Sequence, residues 1–458
     1  MAIATTNPTT GEVLKTFDEL SPHELEDKLA RAAAAACSYR RTTMDQRAGW
    51  LSAAADVLER DAGTVSELIT LEVGKTLRSA SGEVDKCVAA LRFYAERGAQ
   101  YLSDVSGAAS AVGAKRTYVT YQPLGVVLAV MPWNFPLWQA MRFAAPALTA
   151  GNVGVLKHAS NVPQTALYME QLFREAGFPD DVFQTLLISS GRVEQVLRDE
   201  RVKAATLTGS EPAGRSVAAI AGDEIKRVVL ELGGSDPFIV MPSADIERAA
   251  DVAVRARTLN NGQSCVNAKR FFVHTDIYDV FLSSFVAKMA ALVVGDPRQQ
   301  GTDIGPLATE AGRADVEAYV CDAVDKGATV LTGGKRLERP GWFYPPTVIT
   351  DVTRTMRMFG EEVFGPVAQV FPVSSLTEAV DLANEHPYGL GSNLWSEDES
   401  ERTSFIRDIQ SGMAFINGHT ASYPEIPFGG IKRSGYGREL SDVGMKEFMT
   451  AKTVWVGP

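Results

Sequence analysis

The strongest constraint in the sequence is a repeated alternation of short, unbroken apolar runs with longer amphipathic stretches. Val126-Val-Leu-Ala-Val130 and Val153-Gly-Val-Leu156 contain no polar side chain, and Phe183 to Ile188, Ala204 to Leu207 and Phe238 to Val240 continue the series. Runs without an alternating polar face mark strands buried on both sides, as in parallel sheets covered by helices. The intervening stretches read as helices; Gln164 to Gly177, for example, ends on the stop signal Gly177-Phe-Pro179. Strand and helix in alternation predict a doubly wound α/β fold.

A helical lead-in precedes this layer: Ser21 to about Arg97 is Ala-rich, with Leu, Val and Phe at three- and four-residue spacings, and breaks are expected at Gly74 and Gly82. Tyr118-Val-Thr-Tyr121 alternates like a strand and leads through Pro123-Leu-Gly125 into the Val126 run. After Asp245 the pattern restarts with an amphipathic helix, Ile246 to Leu259, which places a boundary near Leu232-Gly233-Gly234. At 458 residues the chain is too long for one ordinary core.

Forty-five Lys and Arg against 56 Asp and Glu give a net charge of −11, so neither nucleic acid nor an anionic membrane is an expected partner. No stretch of about 18 apolar residues occurs, and Met1 to Glu12 has neither a basic start nor an apolar run, so a cytoplasmic protein is expected. Four distant cysteines predict neither a disulfide framework nor a zinc site, and five histidines without ligand spacing predict no metal. Cys37, Cys87 and Cys321 fall in helical stretches, where a packing role is expected.

Three residues sit where chemistry is possible. Cys265 lies in the polar stretch Asn260-Asn-Gly-Gln-Ser-Cys-Val-Asn267, directly after an amphipathic helix, so its thiol is reachable or simply a small packed group. Glu231 ends the apolar run Val228-Val-Leu230 beside paired glycines, a place suited to a general base. Asn134 follows the Val126 strand within Pro132-Trp-Asn-Phe-Pro136, at the carboxyl end where open α/β sheets bind ligands; it fits an oxyanion donor or a turn residue between two prolines.

Together these motifs resemble the aldehyde dehydrogenase superfamily from Asn7-Pro-Thr-Thr-Gly-Glu12 to the end of the chain. Further matches are Leu156-Lys157, Leu207-Thr-Gly-Ser210, Leu230-Glu-Leu-Gly-Gly234, Gly262-Gln-Ser-Cys265, Glu361-Glu-Val-Phe-Gly-Pro366 and Pro427-Phe-Gly-Gly-Ile-Lys-Arg-Ser-Gly435. The resemblance implies Cys265 as nucleophile, Glu231 as base and Asn134 as oxyanion donor. Thiolate attack on an aldehyde, hydride transfer to a nicotinamide and hydrolysis of the resulting thioester would follow. Asn267 stands where some relatives carry a second cysteine, so no disulfide switch is expected.

Thr208-Gly-Ser-Glu-Pro-Ala-Gly214 should open a helix whose N-terminus attracts pyrophosphate, making Gly209 and Ser210 candidate contacts. The resemblance adds Trp133, Lys157, Leu232, Glu362 and Phe364 as dinucleotide contacts. The usual glycine-rich segment on the adenine side is here Ser189-Ser-Gly-Arg192. Ser160 replaces the Glu common in NAD-preferring relatives; with Lys157 it could accept a 2′-phosphate, so NADP is expected in preference to NAD.

Pro136 to Ala145 reads as an apolar helix with one cation, Arg142, on the same face as Trp138. A buried guanidinium needs an anion, either a protein carboxylate or the carboxylate of a substrate. With Ser264 and Ser422, this combination is similar to succinate-semialdehyde dehydrogenases, implying a small aldehyde with a remote carboxylate. Another small aldehyde, such as glutarate semialdehyde or an aliphatic one, is the alternative. A cofactor-independent cysteine hydrolase is the rival from another class.

The resemblance implies three parts: a Rossmann-like cofactor domain (1–104 and 124–231), an α/β catalytic domain (232–435) and a small β oligomerisation element (105–123 and 436–458). Lys452-Thr-Val-Trp-Val456 alternates like an exposed edge strand, which needs a partner, so a homodimer or homotetramer is expected.

Overall fold

A computed structural model describes residues 2–457. Its first half is built on a six-stranded sheet in the spatial order Gly435–Tyr436, Arg227–Glu231, Val202–Thr208, Val126–Met131, Val153–His158, Phe183–Thr185. All pairings are parallel except that of Gly435-Tyr436 with Glu231 and Leu230. From the central strand Val126–Met131 the chain builds outward on one side and then returns to build on the other, which opens a crevice at the carboxyl ends of the central strands. The apolar runs of the sequence are these strands, buried as their composition requires apart from the half-buried Val130.

The second half forms a seven-stranded sheet: Thr329–Thr332, Thr347–Thr350, Val367–Val373, Ala268–His274, Asp236–Val240, Asn393–Trp395, Phe415–Ile416. Successive residues point to opposite faces, so Ile239 and Phe272 enter one core while Phe238 and Phe271 enter the other. The helix Ile246–Thr258 covers the second of these faces and carries the chain to the loop that bears Cys265.

The helical lead-in comprises Pro22–Tyr39, Met44–Arg60, Ala62–Val73 and Leu77–Tyr101. Gly74 ends a helix in the left-handed region, at φ +83°. Gly82 does not break the chain; it lies inside Leu77–Tyr101. One helical glycine costs only about 1 kcal/mol, and the buried stripe of Val84, Cys87, Leu91 and Tyr94 outweighs it. Cys37 and Cys321 also depart from expectation, since both are exposed on the outer faces of their helices, whereas Cys87 is buried.

Arg116–Pro123 is not continuous with the Val126 strand. It pairs antiparallel with Met449–Val456 and with Val105-Ser106 in a separate three-stranded sheet, Met449–Val456 forming one edge. Between Tyr436 and that edge strand the chain returns to the first core through Leu440, Met445 and Phe448. Among the described residues no helix is long and apolar enough to cross a membrane.

Candidate active site

Cys265 is delivered by a backbone that only particular residues tolerate. After Thr258, Asn260 and Asn261 both take left-handed conformations (φ 55° and 56°) and Gly262 follows at φ +78°. Asparagine bears this conformation better than most residues. At Gly262 a Cβ would also meet the Gly365 carbonyl carbon at 2.5 Å. Side chains then lock the loop: Asn260 Nδ2 donates to Asn134 O (2.7 Å) and Gln263 O (3.0 Å). Lys269 Nζ donates to the carbonyls of Ser264 and Cys265, both at 2.9 Å. Gly234 explains the paired glycines after Glu231: a Cβ there would sit 2.6 Å from the Cys265 carbonyl oxygen.

Two cavities meet at Cys265. One, of about 290 Å³, is lined by Trp133, Asn134, Gly209, Ser210, Glu231, Leu232, Glu362 and Phe364. The other, of about 300 Å³, is lined by Lys86, Trp138, Arg142, Ser264, Ser422 and Phe428 among others. Burial pushes the Cys265 thiol up to about 12, against the opposing pull of Arg142 and Lys269. The resting group is therefore a thiol that needs a base.

Glu231 ends its strand in the first cavity, 2% exposed, with no hydrogen-bond partner for either carboxylate oxygen. Burial, and secondarily the neighbouring Glu439, raise its carboxyl well above the ordinary range. Asn134 Nδ2 donates one N–H to Gln263 O at 3.1 Å, which orients the amide. Its second N–H is left for another acceptor.

The first cavity lies in the crevice at the strand ends. Trp133 and Phe364 form an edge-to-face wall, with ring centroids 5.8 Å apart. Lys269 Nζ lies 3.1 Å from Glu362 Oε1, off the angle of a hydrogen bond. Ser210 precedes the helix Glu211–Asp223 without capping it through its side chain, leaving the hydroxyl uncommitted. Lys157 lies near the end of the Val153–His158 strand and Ser160 follows it; neither lines this cavity. Lys157 is 9% exposed and, among the described residues, has no ion-pair partner within 4 Å; burial lowers its pKa. A buried cation awaiting an anion, with no carboxylate at position 160, fits a phosphate-bearing dinucleotide.

In the second cavity Arg142 has a protein partner. Its Nε pairs with Glu439, its Nη2 donates to Thr208 Oγ1 at 3.3 Å, and its guanidinium lies 4.3 Å from the Phe428 ring centroid. Trp138 Nε1 donates to Ser422 Oγ at 3.0 Å. Sequence reading missed Glu439, Lys269 and Lys86. Glu439 acts through a contact with a distant segment, which local pattern does not encode, and Lys269 through carbonyls four and five residues earlier that the fold of the loop turns toward it. Lys86 left a faint signal, falling three residues after Glu83 on the flank of a buried helical stripe.

A thiol set between a crevice at a Rossmann-like sheet and a second, cation-bearing pocket suits one class, the α/β oxidoreductases that work through cysteine. The comparisons make the assignment specific, because the aldehyde dehydrogenase family model matches residues 1–454. The chain belongs to the aldehyde dehydrogenase family. It is 60% identical over 458 residues to the succinate-semialdehyde dehydrogenase [NADP(+)] of Mycobacterium avium (strain 104), covering 100% of this chain and 97% of that one. It is also 60% identical over 456 residues to succinate-semialdehyde dehydrogenase [NADP(+)] 1 of Mycobacterium tuberculosis (strain ATCC 25618 / H37Rv), covering 100% of both chains. Among solved structures, Gox0499 superposes with a TM-score of 0.97 at 41% identity, covering 100% of both chains. Succinic semialdehyde dehydrogenase from Streptococcus pyogenes, in complex with NADP+, gives 0.96 at 38% identity, covering 99% of this chain and 100% of that one.

Proposed function

We propose that this protein oxidises succinic semialdehyde to succinate, with NADP+ preferred to NAD+. The observation that carries the reading is the position of Cys265, at the junction of a carboxylate-bearing cavity and a cation-bearing one. The relatives named above support it.

Glu231, ionised, takes the proton of the Cys265 thiol, and the sulfur attacks the aldehyde carbon. The carbonyl oxygen gathers negative charge as the bond forms. The free N–H of Asn134 and the backbone N–H of Cys265 meet that charge, one preorganised donor being worth roughly 3 kcal/mol. A dinucleotide held in the first cavity would supply the hydride acceptor, which would leave the acyl group on Cys265 as a thioester. Glu231 passes that first proton to solvent, then removes a proton from water attacking the thioester and hands it to the departing sulfur, which releases the acid and returns the thiol.

Trp133, Gly209, Ser210, Leu232, Glu362 and Phe364 would hold the nicotinamide side of the dinucleotide, and Lys157 with Ser160 its 2′-phosphate. Trp138, Arg142, Ser264 and Ser422 would wall the acyl chain. The division into a cofactor domain, a catalytic domain and an oligomerisation element belongs to the same reading. So does a cytoplasmic homo-oligomer joined along the exposed edge Met449–Val456. A matrix of aldehydes against NADP+ and NAD+ tests the proposal: the highest kcat/KM falls on succinic semialdehyde with NADP+, and a higher value for an uncharged aldehyde overturns it.

A further inference from the structure

Two fully buried cations, Arg257 and Lys269, lie against the loop that carries Cys265, and they are spent differently. The Arg257 guanidinium donates to the carbonyls of Gly262, Ala268, Val363, Gly365 and Val367. It thereby ties the loop to the segment that bears Glu362 and Phe364. From within the loop, Asn267 Oδ1 accepts the Ser264 N–H and Asn267 Nδ2 donates to Ala256 O, each at 2.7 Å. These bonds already fix the shape of the loop.

Lys269 is added to the peptide units on either side of the nucleophile. Its Nζ donates to Ser264 O and Cys265 O, both at 2.9 Å, and to Asn267 O at 3.4 Å, which uses all three of its N–H groups. Glu362, at 3.1 Å, is the carboxylate that meets its charge. Burying an ammonium is costly, and a neutral amide could hold the same carbonyls. A full charge in this place calls for a use beyond holding the loop.

The use follows from peptide geometry. Ser264 O and the Cys265 N–H belong to one planar trans peptide, so they point in opposite directions. Drawing Ser264 O onto Lys269 turns the Cys265 N–H away from it, and among the described residues that N–H donates to no protein acceptor. A positive charge on the carbonyl oxygen also pulls electron density off the peptide nitrogen, which makes the N–H a stronger donor.

We infer that Lys269 aims and polarises the Ser264–Cys265 peptide, so that the Cys265 N–H meets the oxyanion more strongly than an ordinary amide does. Lys269 is a positioning residue, acting through a backbone group, and the inference rests on the proposed attack of the thiol on an aldehyde.

The test compares two reactions of the same sulfur in the wild type, Lys269→Met and Lys269→Arg. Iodoacetamide is attacked at a saturated carbon: the S–C bond forms as iodide leaves, and no oxyanion arises. Succinic semialdehyde with saturating NADP+ passes through the oxyanion and is read as the NADPH burst. Both rates scale with the thiolate fraction, which Lys269 also favours, so their ratio at one pH removes that effect. The ratio of burst rate to alkylation rate falls roughly 10-fold in K269M, less than the 10²–10³-fold expected for deleting a donor outright, and K269R restores most of it. Should K269M not fold, K269Q, which keeps amide donors and drops the charge, shows a smaller fall in the same direction. An unchanged ratio overturns the inference, whether both rates fall together or neither does.

The ion pair with Glu362 gives Lys269 a second route to the burst, through the dinucleotide. Acylation by p-nitrophenyl acetate without dinucleotide closes that route. Sulfur adds to the ester carbonyl, the oxyanion collapses, p-nitrophenolate leaves and the thiol proton passes through Glu231 to solvent. The ratio of ester acylation to alkylation falls in K269M as the burst ratio does. A fall confined to the NADPH burst assigns the effect to Glu362 and overturns the inference. A wild type in which Cys265 is alkylated while succinic semialdehyde gives no NADPH burst overturns the parent reading instead.

Discussion

The two cavities that share Cys265 are nearly equal in volume, about 290 and 300 Å³, yet opposite in charge. The first carries Glu231 and Glu362; the second carries Lys86 and Arg142. The difference divides the labour of one sulfur atom. Proton removal requires a carboxylate, and one deprived of water and of hydrogen-bond partners is a stronger base than one in solution. Recognition of an anionic substrate requires a cation, and the second cavity holds them on its wall.

The contrast can be broken from either side. The largest effect is expected from Glu231→Gln, which removes the base from the first cavity. Steady-state kcat falls by roughly 10²–10⁴-fold, and the NADPH burst is slowed, because removal of the thiol proton is left to solvent, but not abolished, because the thioester still forms and its hydrolysis is slowed further. Since burial raises the Glu231 carboxyl, the wild-type rate of thioester hydrolysis drops as pH falls through that raised value, and E231Q lacks this limb. Stopped-flow absorbance reads both; a wild-type-like turnover in E231Q would contradict the assignment.

On the other side, Glu439→Leu strips Arg142 of its partner. Removing one member of a buried ion pair costs about 3–5 kcal/mol, so denaturant unfolding should show a loss of that size. A loss under about 1 kcal/mol would mean that Arg142 had been free all along. Asn134→Ala comes next, lowering kcat by roughly 10²–10³-fold with little change in KM, as expected of a donor used only when the oxyanion develops. The smallest effect belongs to the far end of the cofactor crevice. Ser160→Glu should shift the NADP+/NAD+ ratio of kcat/KM by roughly 10- to 100-fold toward NAD+, by placing a carboxylate beside Lys157 where a phosphate would sit. An unchanged ratio would remove Ser160 from cofactor selection.

The sheets were readable in the sequence because burial on both faces forces unbroken apolar runs, and every such run became a strand. That Cys265, Glu231 and Asn134 share one cavity was legible because ligand crevices of α/β sheets lie at strand ends and the loops that follow them. What escaped was whatever depends on partners remote along the chain. Arg142 announces a need for an anion, but nothing local says that Glu439 meets it. Lys86 resembles any lysine on a helix flank until Glu83 is seen to be committed to Lys75 and to the start of the next helix. The missed helix continuity at Gly82 has the same origin, for tertiary packing overrides a local propensity of about 1 kcal/mol.

The central claim is that Cys265 becomes acylated. Mass spectrometry of E231Q, quenched after mixing with succinic semialdehyde and NADP+, measures this most directly. The account predicts a succinyl adduct on the peptide containing Cys265, absent from the corresponding Cys265→Ser double variant. An unmodified Cys265 peptide during the NADPH burst, or an adduct on any other residue, would contradict it.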